Sequence, residues 1–343
     1  MATMKDIAAL AGVSTATVSH VLSGKRGVSE HAHKRVLEAV SLTQYTPNPI
    51  AKSLRTSRSS TIGVLVEDIS AYPVPEIVDG ISEYLDGTGN NIILGNLRLL
   101  GKLYNHYEQL SQYKDIVNQG MLLMTQSQVD GVIYVSMHDR RIEPILSPIN
   151  KPLVYAYAYS DNPATPSVTY DNEESARIIT RILIERGHRY IALIAGHPSS
   201  SPVRLRLKGY RAAMDEAGIL YPTEYIRWGD WEYHSGYEQT KALLDLRQPP
   251  TAIFAMNDLM AAGSYAALTE RGLNVPSDMS IAGFDNREIS SYLYPPLTTL
   301  ALPHRDIGRR SCELALTMLA VGEPSGNIVL PCDVVMRSSV KNL

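Results

Sequence analysis

The stretch Met4–Leu22 limits what this chain can fold into more than any other part of the sequence. Its apolar residues fall at helical spacing in two stripes, Ile7, Leu10 and Ala11 in the first, and Val18, Val21 and Leu22 in the second. Between them, Gly12-Val13-Ser14 leaves room only for a tight turn, with glycine for its backbone freedom and serine to cap the next helix. The pattern predicts two short helices joined by a turn, a helix-turn-helix.

The second predicted helix presents short or hydrogen-bonding side chains away from its apolar stripe. These candidate DNA-contacting residues are Ser14, Thr15, Ala16, Thr17, Ser19 and His20. At the N-terminal end of a recognition helix, such side chains contact base edges in the major groove. Two amphipathic helices joined by a glycine turn also occur in proteins that never bind DNA, so the stretch alone leaves both interpretations open.

A third helix is expected to begin after Ser29 and to close a small core through Val36, Leu37 and Val40. Arg26, just before it, is expected to contact DNA phosphate, with a solvated basic surface as the alternative. Farther on, Asn48 followed by Pro49 is typical of a helix start. The helix that follows would have only about two turns, too few to be stable alone in water.

Three motifs in the first helices resemble the opening of the lactose-repressor (LacI/GalR) family of bacterial transcription regulators: Lys5-Asp6-Ile7-Ala8, Ala11-Gly12-Val13-Ser14 and Thr17-Val18-Ser19. The resemblance extends over the whole chain. It implies a hinge helix that orders on operator DNA, with Asn48 and Arg55 at the DNA and Leu54 as a wedge in the minor groove. It also implies a homodimer on near-palindromic double-stranded operator DNA.

From Thr61 onward, short apolar runs alternate with helical patterns. The expected strands are 62–66, 91–94, 131–135, 153–156, 190–195, 252–255 and 279–284, and the expected helices are 76–85, 106–127, 173–186, 203–217, 233–245 and 258–271. This alternation predicts parallel sheets covered by helices on both faces. The fold class is therefore α/β: an all-α helix-turn-helix head with a hinge helix, then a two-lobed body that resembles periplasmic binding proteins, with two parallel-rich sheets.

The expected domains are a head over 1–46, a hinge and linker over 47–60, and an effector-binding and dimerisation body over 61–343. By the family resemblance, lobe 1 comprises about 61–158 and 288–321, and lobe 2 about 159–287 and 322–343. The chain would cross between lobes near 157–162, 284–291 and 319–327.

Charge separates the head from the body. Residues 1–60 contain eight Lys and Arg against three Asp and Glu, a formal charge of +5, which leaves −8 for the rest of a chain whose net charge is −3. A basic head on an acidic body fits a head that meets phosphates. The two cysteines are too few for a disulfide framework, and no apolar run is long enough to cross a membrane, so a cytoplasmic protein is expected.

Six residues are expected to bind a small-molecule effector between the lobes: Tyr72, Tyr157, Arg206, Trp231, Asn257 and Asp285. The last four match cleft positions of the family. An arginine, an amide, a carboxylate and an indole suit a ligand with hydrogen-bonding edges and stacking faces, such as a mono- or oligosaccharide. Asp258 is expected to cap the following helix rather than to bind ligand.

Two departures from the family affect the choice of effector. Ser200 stands where the purine-binding member has an arginine that contacts the base, which argues against a purine. The segment 97–128 is longer than usual by roughly a dozen residues, follows a strand on the cleft side, and could extend the cleft for a longer sugar.

The sequence contains no GxSxG elbow, HExxH motif, P-loop or GxGxxG fingerprint, so an enzyme is not expected, nor a metal or other cofactor. A solute-binding protein would fit the body, but the helix-turn-helix occupies the place of its signal sequence. The sequence therefore predicts a DNA-binding regulator, a repressor controlled by a small sugar. The alternative is control by a nucleoside, a purine or another non-sugar metabolite.

We expect Leu54→Ala to weaken specific operator binding and to reduce operator bending, because an apolar wedge kinks the duplex and widens the contact. Binding to random DNA depends on phosphate contacts and should change less. Fluorescence anisotropy with a selected operator and with a scrambled duplex measures the specific and the non-specific affinity. Equal losses on the two duplexes would contradict the wedge assignment.

Overall fold

In the computed structural model of the chain, the described residues are 2–22, 27–45, 58–104, 106–142, 149–323 and 326–343. Their contacts divide the chain into two compact units, Met1–Ser60 and Thr61–Leu343. Each unit has its own hydrophobic core.

The head consists of α1 (Met4–Ala11), α2 (Thr15–Leu22) and α3 (Glu30–Thr43). Gly12 ends α1 in the left-handed conformation, with a φ of +58°, which a side chain would disfavour. Thr3 and Asp6 form a capping box at the start of α1, and the Ser29 hydroxyl accepts the Ala32 N–H at the start of α3. The predicted helix-turn-helix and third helix are confirmed.

The head core differs from the expected stripes at two leucines. Leu10 is 59% exposed and Leu37 is 48% exposed, whereas Ala8 and Ala39 are buried. Positions two residues apart on a helix lie about 160° apart, on nearly opposite faces, so which of them is buried depends on where the other two helices pack. Alanines at the buried positions allow those helices to approach closely.

The first lobe begins with β1 (Thr61–Val66) and continues through several alternating elements. They are α4 (Val74–Leu85), β2 (Asn91–Asn96), α5 (Leu100–Leu103), a 3-10 helix (Tyr107–Tyr113), α6 (Lys114–Gln126), β3 (Gly131–Val135), β4 (Leu153–Ala156) and β5 (Ser167–Tyr170). The expected single helix over 106–127 is thus two elements.

The second lobe alternates helices and strands in the same way. Its elements are α7 (Asn172–Glu185), β6 (Ile191–Ala195), α8 (Ser201–Glu216), β7 (Ile226–Trp228), α9 (Tyr233–Leu244), β8 (Ala252–Ala255), α10 (Asp258–Glu270), β9 (Ser280–Ala282) and α11 (Ile289–Tyr292). A short 3-10 helix, Thr223–Tyr225, precedes β7. The remaining elements are β10 (Thr299–Ala301), α12 (His304–Val321), β11 (Ile328–Leu330) and β12 (Asp333–Val335).

Two parallel sheets support the lobes. The first has the strand order β11-β5-β4-β3-β1-β2, and the second has the order β7-β6-β8-β9. β10 and β12 form a separate antiparallel pair. The two predicted parallel-rich sheets are confirmed, and their carboxyl ends are where ligands of such sheets bind.

The chain leaves the first lobe later than the expected 157–162, because β5 pairs with β4 in the first sheet. The first crossing therefore follows Tyr170. The sequence predicts the other two crossings at 284–291 and 319–327. The structure instead places them at the antiparallel pair β10 and β12. Between these two strands, α12 packs on α4 and β11 pairs with β5, so both α12 and β11 belong to the first lobe. Ser167–Tyr170 alternates polar and apolar residues, but a run of only four residues is too short for the sequence to identify it as a strand of the first sheet.

Glycines allow paired helices to pack very closely. A Cβ at Gly308 in α12 would lie 2.0 Å from the Ile77 carbonyl oxygen of α4, and one at Gly80 would lie 2.1 Å from the Arg305 oxygen. Gly209 in α8 approaches the Glu173 oxygen of α7 in the same way. At these glycines the paired helices lie closer together than any side chain at the same position would allow.

We expect Gly308→Ala to destabilise the protein by about 1–3 kcal/mol or more, because the new methyl group would overlap a backbone oxygen that cannot move alone. Urea denaturation of both proteins measures the change. Gly101→Ala is the control, since a Cβ there meets no other heavy atom within 4 Å. Equal stability of Gly308→Ala and wild type would contradict the close packing of α4 and α12.

Candidate functional site

The recognition helix α2 has the exposed face that the sequence predicts. Thr15, Ala16 and His20 are exposed, Thr17 and Ser19 are half-buried, and Val18 and Val21 face the head core. The Ser14 hydroxyl accepts the Thr17 N–H at 3.1 Å and so caps the helix. Base contacts by these side chains remain a prediction, and the expected contacts of Arg26, Asn48, Leu54 and Arg55 lie outside the described residues.

All six expected effector residues border one cavity of about 550 Å³ between the lobes. Its lining also includes His138 and Tyr170 from the first lobe and Arg287 from the second. The volume lies within the roughly 300–1,000 Å³ of small-molecule sites. The structure thus brings together residues separated by more than two hundred positions in the chain, such as Tyr72 and Asp285.

Arg206 lies at the base of this cleft and is only 3% exposed. Its Nε donates to the Asn172 Oδ1 at 2.9 Å, one Nη to the Tyr170 hydroxyl at 2.9 Å, and the other to the Met256 carbonyl. Its guanidinium lies 3.6 Å from the centroid of the Phe284 ring. These contacts fix the side chain, and its charge lies 4.0 Å from the Asp285 carboxylate.

Trp231 has its position because Gly196, just after β6, has no side chain. A Cβ at Gly196 would lie 2.2 Å from the indole. The amide of Asn257 donates to the Trp231 carbonyl at 2.7 Å and accepts the Met260 N–H at 2.8 Å. Asn257 is therefore the cap of α10, and the expectation that Asp258 is this cap is wrong. The buried indole Nε1–H of Trp231 has no acceptor among the described residues.

Tyr72 and Asp285 connect the lobes at one side of the cleft. The Tyr72 hydroxyl donates to the Asp285 carbonyl at 2.8 Å, and the Arg287 guanidinium lies 4.1 Å from the centroid of the Tyr72 ring. Arg287 also donates to the Asp285 carboxylate at 3.3 Å. Burial raises the pKa of this carboxyl, and the charges of Arg287 and Arg206 oppose that rise. Asp258 holds the backbone N–H of Arg287 at 2.7 Å.

Three of the six expected effector residues have left-handed backbone conformations that favour glycine: Tyr157 at a φ of +61°, Trp231 at +76° and Asp285 at +109°. Such conformations cost about 1–3 kcal/mol each for other residues and occur where function fixes the side chain. The Tyr157 ring stacks on Tyr170 at 5.5 Å. The sequence gives no signal for this strain at Tyr157 and Trp231, because positive φ values are expected mainly for glycine, asparagine and aspartate.

Sequence reasoning missed several polar residues of the cleft. His138 bonds to the Ser200 hydroxyl across the lobes at 2.7 Å, and burial holds its pKa well below the usual range. Asp139 accepts the Asn172 amide at 2.6 Å, so that Asn172 connects it to Arg206. The first lobe contributes His138 and Asp139 from the loop after β3, at the carboxyl end of a strand where such residues are expected.

Sequence comparison assigns both units of the chain. Residues 3–48 match the family of bacterial regulatory proteins named after lacI, and residues 180–340 match a periplasmic binding protein-like domain. The HTH-type transcriptional repressor PurR of Photobacterium profundum is 33% identical over the full length of both chains. PurR of Actinobacillus pleuropneumoniae is 34% identical over 100% of this chain and 99% of its own.

The chain belongs to the lacI family. It is a sequence-specific DNA-binding transcriptional repressor of that family. Among solved structures, the lac repressor dimer bound to operator and the anti-inducer ONPF is 28% identical, with a TM-score of 0.78 and 99% of each chain covered. The complex of the regulator CelR with cellobiose is 30% identical, with a TM-score of 0.66 and 99% and 100% covered.

This lacI-family chain has no helix, among its described residues, that is both long and apolar enough to cross a membrane. The same residues contain no group of three or more His, Cys, Asp or Glu side chains placed to bind a metal ion. Both cysteines, Cys312 and Cys332, are buried thiols.

We expect the contribution of Asp139 to the stability of this repressor to fall as pH rises from about 4 to about 7, because burial raises the pKa of Asp139 to about 7. The folded state then binds a proton that the unfolded state has already lost. The side chain that Asp139→Asn introduces cannot ionise. From pH 5 to pH 8, the free energy of unfolding of wild type should therefore fall by at least about 1 kcal/mol more than that of Asp139→Asn.

Urea denaturation of both proteins at the two pH values tests this expectation. Asp333→Asn removes an exposed carboxylate and serves as the control, which should follow wild type. A parallel pH dependence of Asp139→Asn and wild type would contradict a proton on Asp139.

Proposed function

We propose that this repressor binds near-palindromic operator DNA as a homodimer, and that a purine base or nucleoside in the inter-lobe cleft controls that binding. The exposed face of α2 would contact base edges and Leu54 would enter the minor groove. Two heads are needed because one short helix contacts too few base pairs to give useful specificity.

The observation that carries the proposal is the indole of Trp231. A buried indole N–H normally has a hydrogen-bond acceptor, and an unpaired one costs free energy. The Trp231 Nε1–H has none among the described residues and belongs to a cavity-lining side chain. A small molecule with an acceptor atom at its edge would satisfy this donor.

The relatives favour a purine as that molecule. The two repressors of Photobacterium profundum and Actinobacillus pleuropneumoniae that match the whole chain are named PurR, a name given to purine regulators. The cleft supplies aromatic faces in Trp231, Tyr157 and Tyr170 against which a flat heterocycle can stack. The Asp285 carboxylate can accept ring N–H groups and the Arg287 guanidinium can donate to ring oxygen or nitrogen atoms.

A sugar is the second candidate, and two observations favour it. The relative solved with cellobiose is 30% identical over nearly the whole chain. Ser200 is buried, and its hydroxyl bonds to His138 at the position where the purine-binding member carries an arginine. A purine would therefore need other donors, whereas a sugar needs only hydroxyl partners and an indole face.

Either ligand would act by favouring one relative arrangement of the two lobes over another. The cleft takes Tyr72, His138 and Tyr157 from the first lobe and Arg206 and Trp231 from the second. A molecule that contacts both sets binds one arrangement of the lobes more tightly than another, and that difference in affinity shifts the DNA-binding state.

The chain has only two tryptophans, which makes the test direct. In Trp228→Phe, the remaining tryptophan fluorescence comes from Trp231 alone. We expect purine bases or nucleosides to change its intensity and to raise the melting temperature, because a ligand that binds only the folded state stabilises it. Sugars tested in parallel distinguish the second candidate.

Trp231→Ala should weaken binding of the active ligand at least about tenfold, through loss of stacking and of the indole donor. Trp228→Ala is the matched control, since Trp228 does not line the cavity and is 45% exposed. Equal loss in both variants, or no fluorescence response to any purine, would contradict the proposed purine site.

A further inference from the structure

We propose that Leu97–Tyr104, named here the cleft wall, forms an outer compartment of the cleft and selects effectors made of two linked cyclic units, a base joined to a sugar or a sugar joined to a sugar, over a single unit. The proposal rests on the proposed function, because it takes the inter-lobe cleft as the effector site. The two-unit effector would be a purine nucleoside or a disaccharide.

Buried leucines fix the cleft wall to the first lobe. Leu99 and Leu103 are fully buried and Leu97 is 9% exposed. The backbone N–H groups of Leu97 and Leu99 donate to the carbonyls of Val66 and Glu67 at 3.0 and 2.9 Å, which extends the pairing of β2 with β1. Three apolar anchors within eight residues make this segment part of the lobe rather than a free loop.

Side chains at the ends of β1 and β2 hold the wall at the cleft. The Asp68 carboxylate accepts the Leu100 N–H at 3.0 Å with one oxygen and the Ser70 N–H at 3.0 Å with the other. The Asn96 Oδ1 accepts the Ile69 N–H at 3.3 Å and the Arg98 N–H at 3.2 Å. The wall and the loop that carries Ser70 and Tyr72 therefore form one unit.

The residues of the wall that reach the cavity are apolar or aromatic. Leu100, Gly101 and Tyr104 line it, together with the polar side chains of Arg206, Asp285 and Arg287. Tyr104 is 57% exposed and has a φ of +45°, so its ring is held at the surface of the wall by an unusual backbone. An exposed tyrosine of this kind can stack on the face of a second ring.

The far edge of the wall meets the second lobe. The ring of His106, two residues past Tyr104, lies 5.9 Å from the ring of His197, which follows β6. This contact connects the segment that follows the wall to the second lobe. The cavity volume of about 550 Å³ is larger than a single six-membered ring needs and lies within the roughly 300–1,000 Å³ of small-molecule sites.

Gly101 gives a steric test of the outer compartment. A Cβ there meets no other heavy atom within 4 Å, so a larger side chain fits without strain to the protein. Gly101→Leu should block the second unit and leave the inner contacts with Arg206 and Trp231 intact. Gly326→Leu is the matched control, because Gly326 also has open space around its Cβ and does not line the cavity.

The experiment is isothermal titration calorimetry of the full chain with paired ligands: adenine with adenosine, guanine with guanosine, and glucose with cellobiose. We expect wild type to bind the two-unit member of the active pair (nucleoside or disaccharide) at least about tenfold more tightly. Gly101→Leu should lose at least about tenfold in affinity for that member and little for its single-unit partner. Tyr104→Ala should lose about threefold to tenfold by removing the stacking face.

Tyr190→Ala is the control for Tyr104→Ala, since Tyr190 is an exposed tyrosine at the opposite end of the second sheet. The pair that binds tells a nucleoside from a disaccharide. Equal affinity for both members of the active pair, or equal losses for both in Gly101→Leu, would overturn the cleft wall and leave the proposed function standing. No binding by any of the six ligands would overturn both.

Discussion

The buried guanidinium of Arg206 is the interaction on which the cleft depends. A charge this deep costs several kcal/mol of solvation unless hydrogen bonds and opposite charge replace the lost water. Tyr170 at the end of β5, Asn172 at the start of α7 and the Met256 carbonyl at the end of β8 supply those bonds. Satisfying one cation therefore fixes the relative positions of three elements from both lobes, and Asn172 carries the connection on to Asp139.

Small residues and strained backbones then shape the space around Arg206. Gly196 admits the Trp231 indole, and Gly283 leaves room for the Asp258 carboxylate, which anchors the N–H of Arg287. The positive φ values of Tyr157, Trp231 and Asp285 place their side chains where regular strands would not. The surrounding packing must offset that strain, which is the usual condition of a binding site.

Some cleft residues hold other residues in place, whereas others keep hydrogen-bonding groups or ring faces open to a ligand. Asn257 donates one amide N–H to the Trp231 carbonyl and accepts the Met260 N–H, so it positions Trp231 and α10, and its contact with an effector stays a prediction. The indole N–H of Trp231 has no acceptor among the described residues, and the ring of Tyr104 is exposed, so both are open to a ligand. The same division explains why the effector class depends on details such as Ser200, whereas the presence of a cleft does not.

The sequence by itself determined the helix-turn-helix, most strands and helices of the body, and the six residues that meet at the cavity. Local signals were sufficient there: the turn at Gly12, the cap at Ser29, and apolar runs such as Gly131–Val135 that only a buried parallel strand explains. Motifs matched one position at a time indicated Arg206 and Asp285, which both line the cavity.

Only the tertiary structure decided the lobe boundaries, the choice of Ala8 over Leu10 for the head core, and the connection of Asp139 to Arg206 through Asn172. Each depends on which element packs against which, over distances along the chain that no local pattern encodes. A strand of four residues, or one polar side chain in a loop, acquires its role from neighbours that folding brings to it.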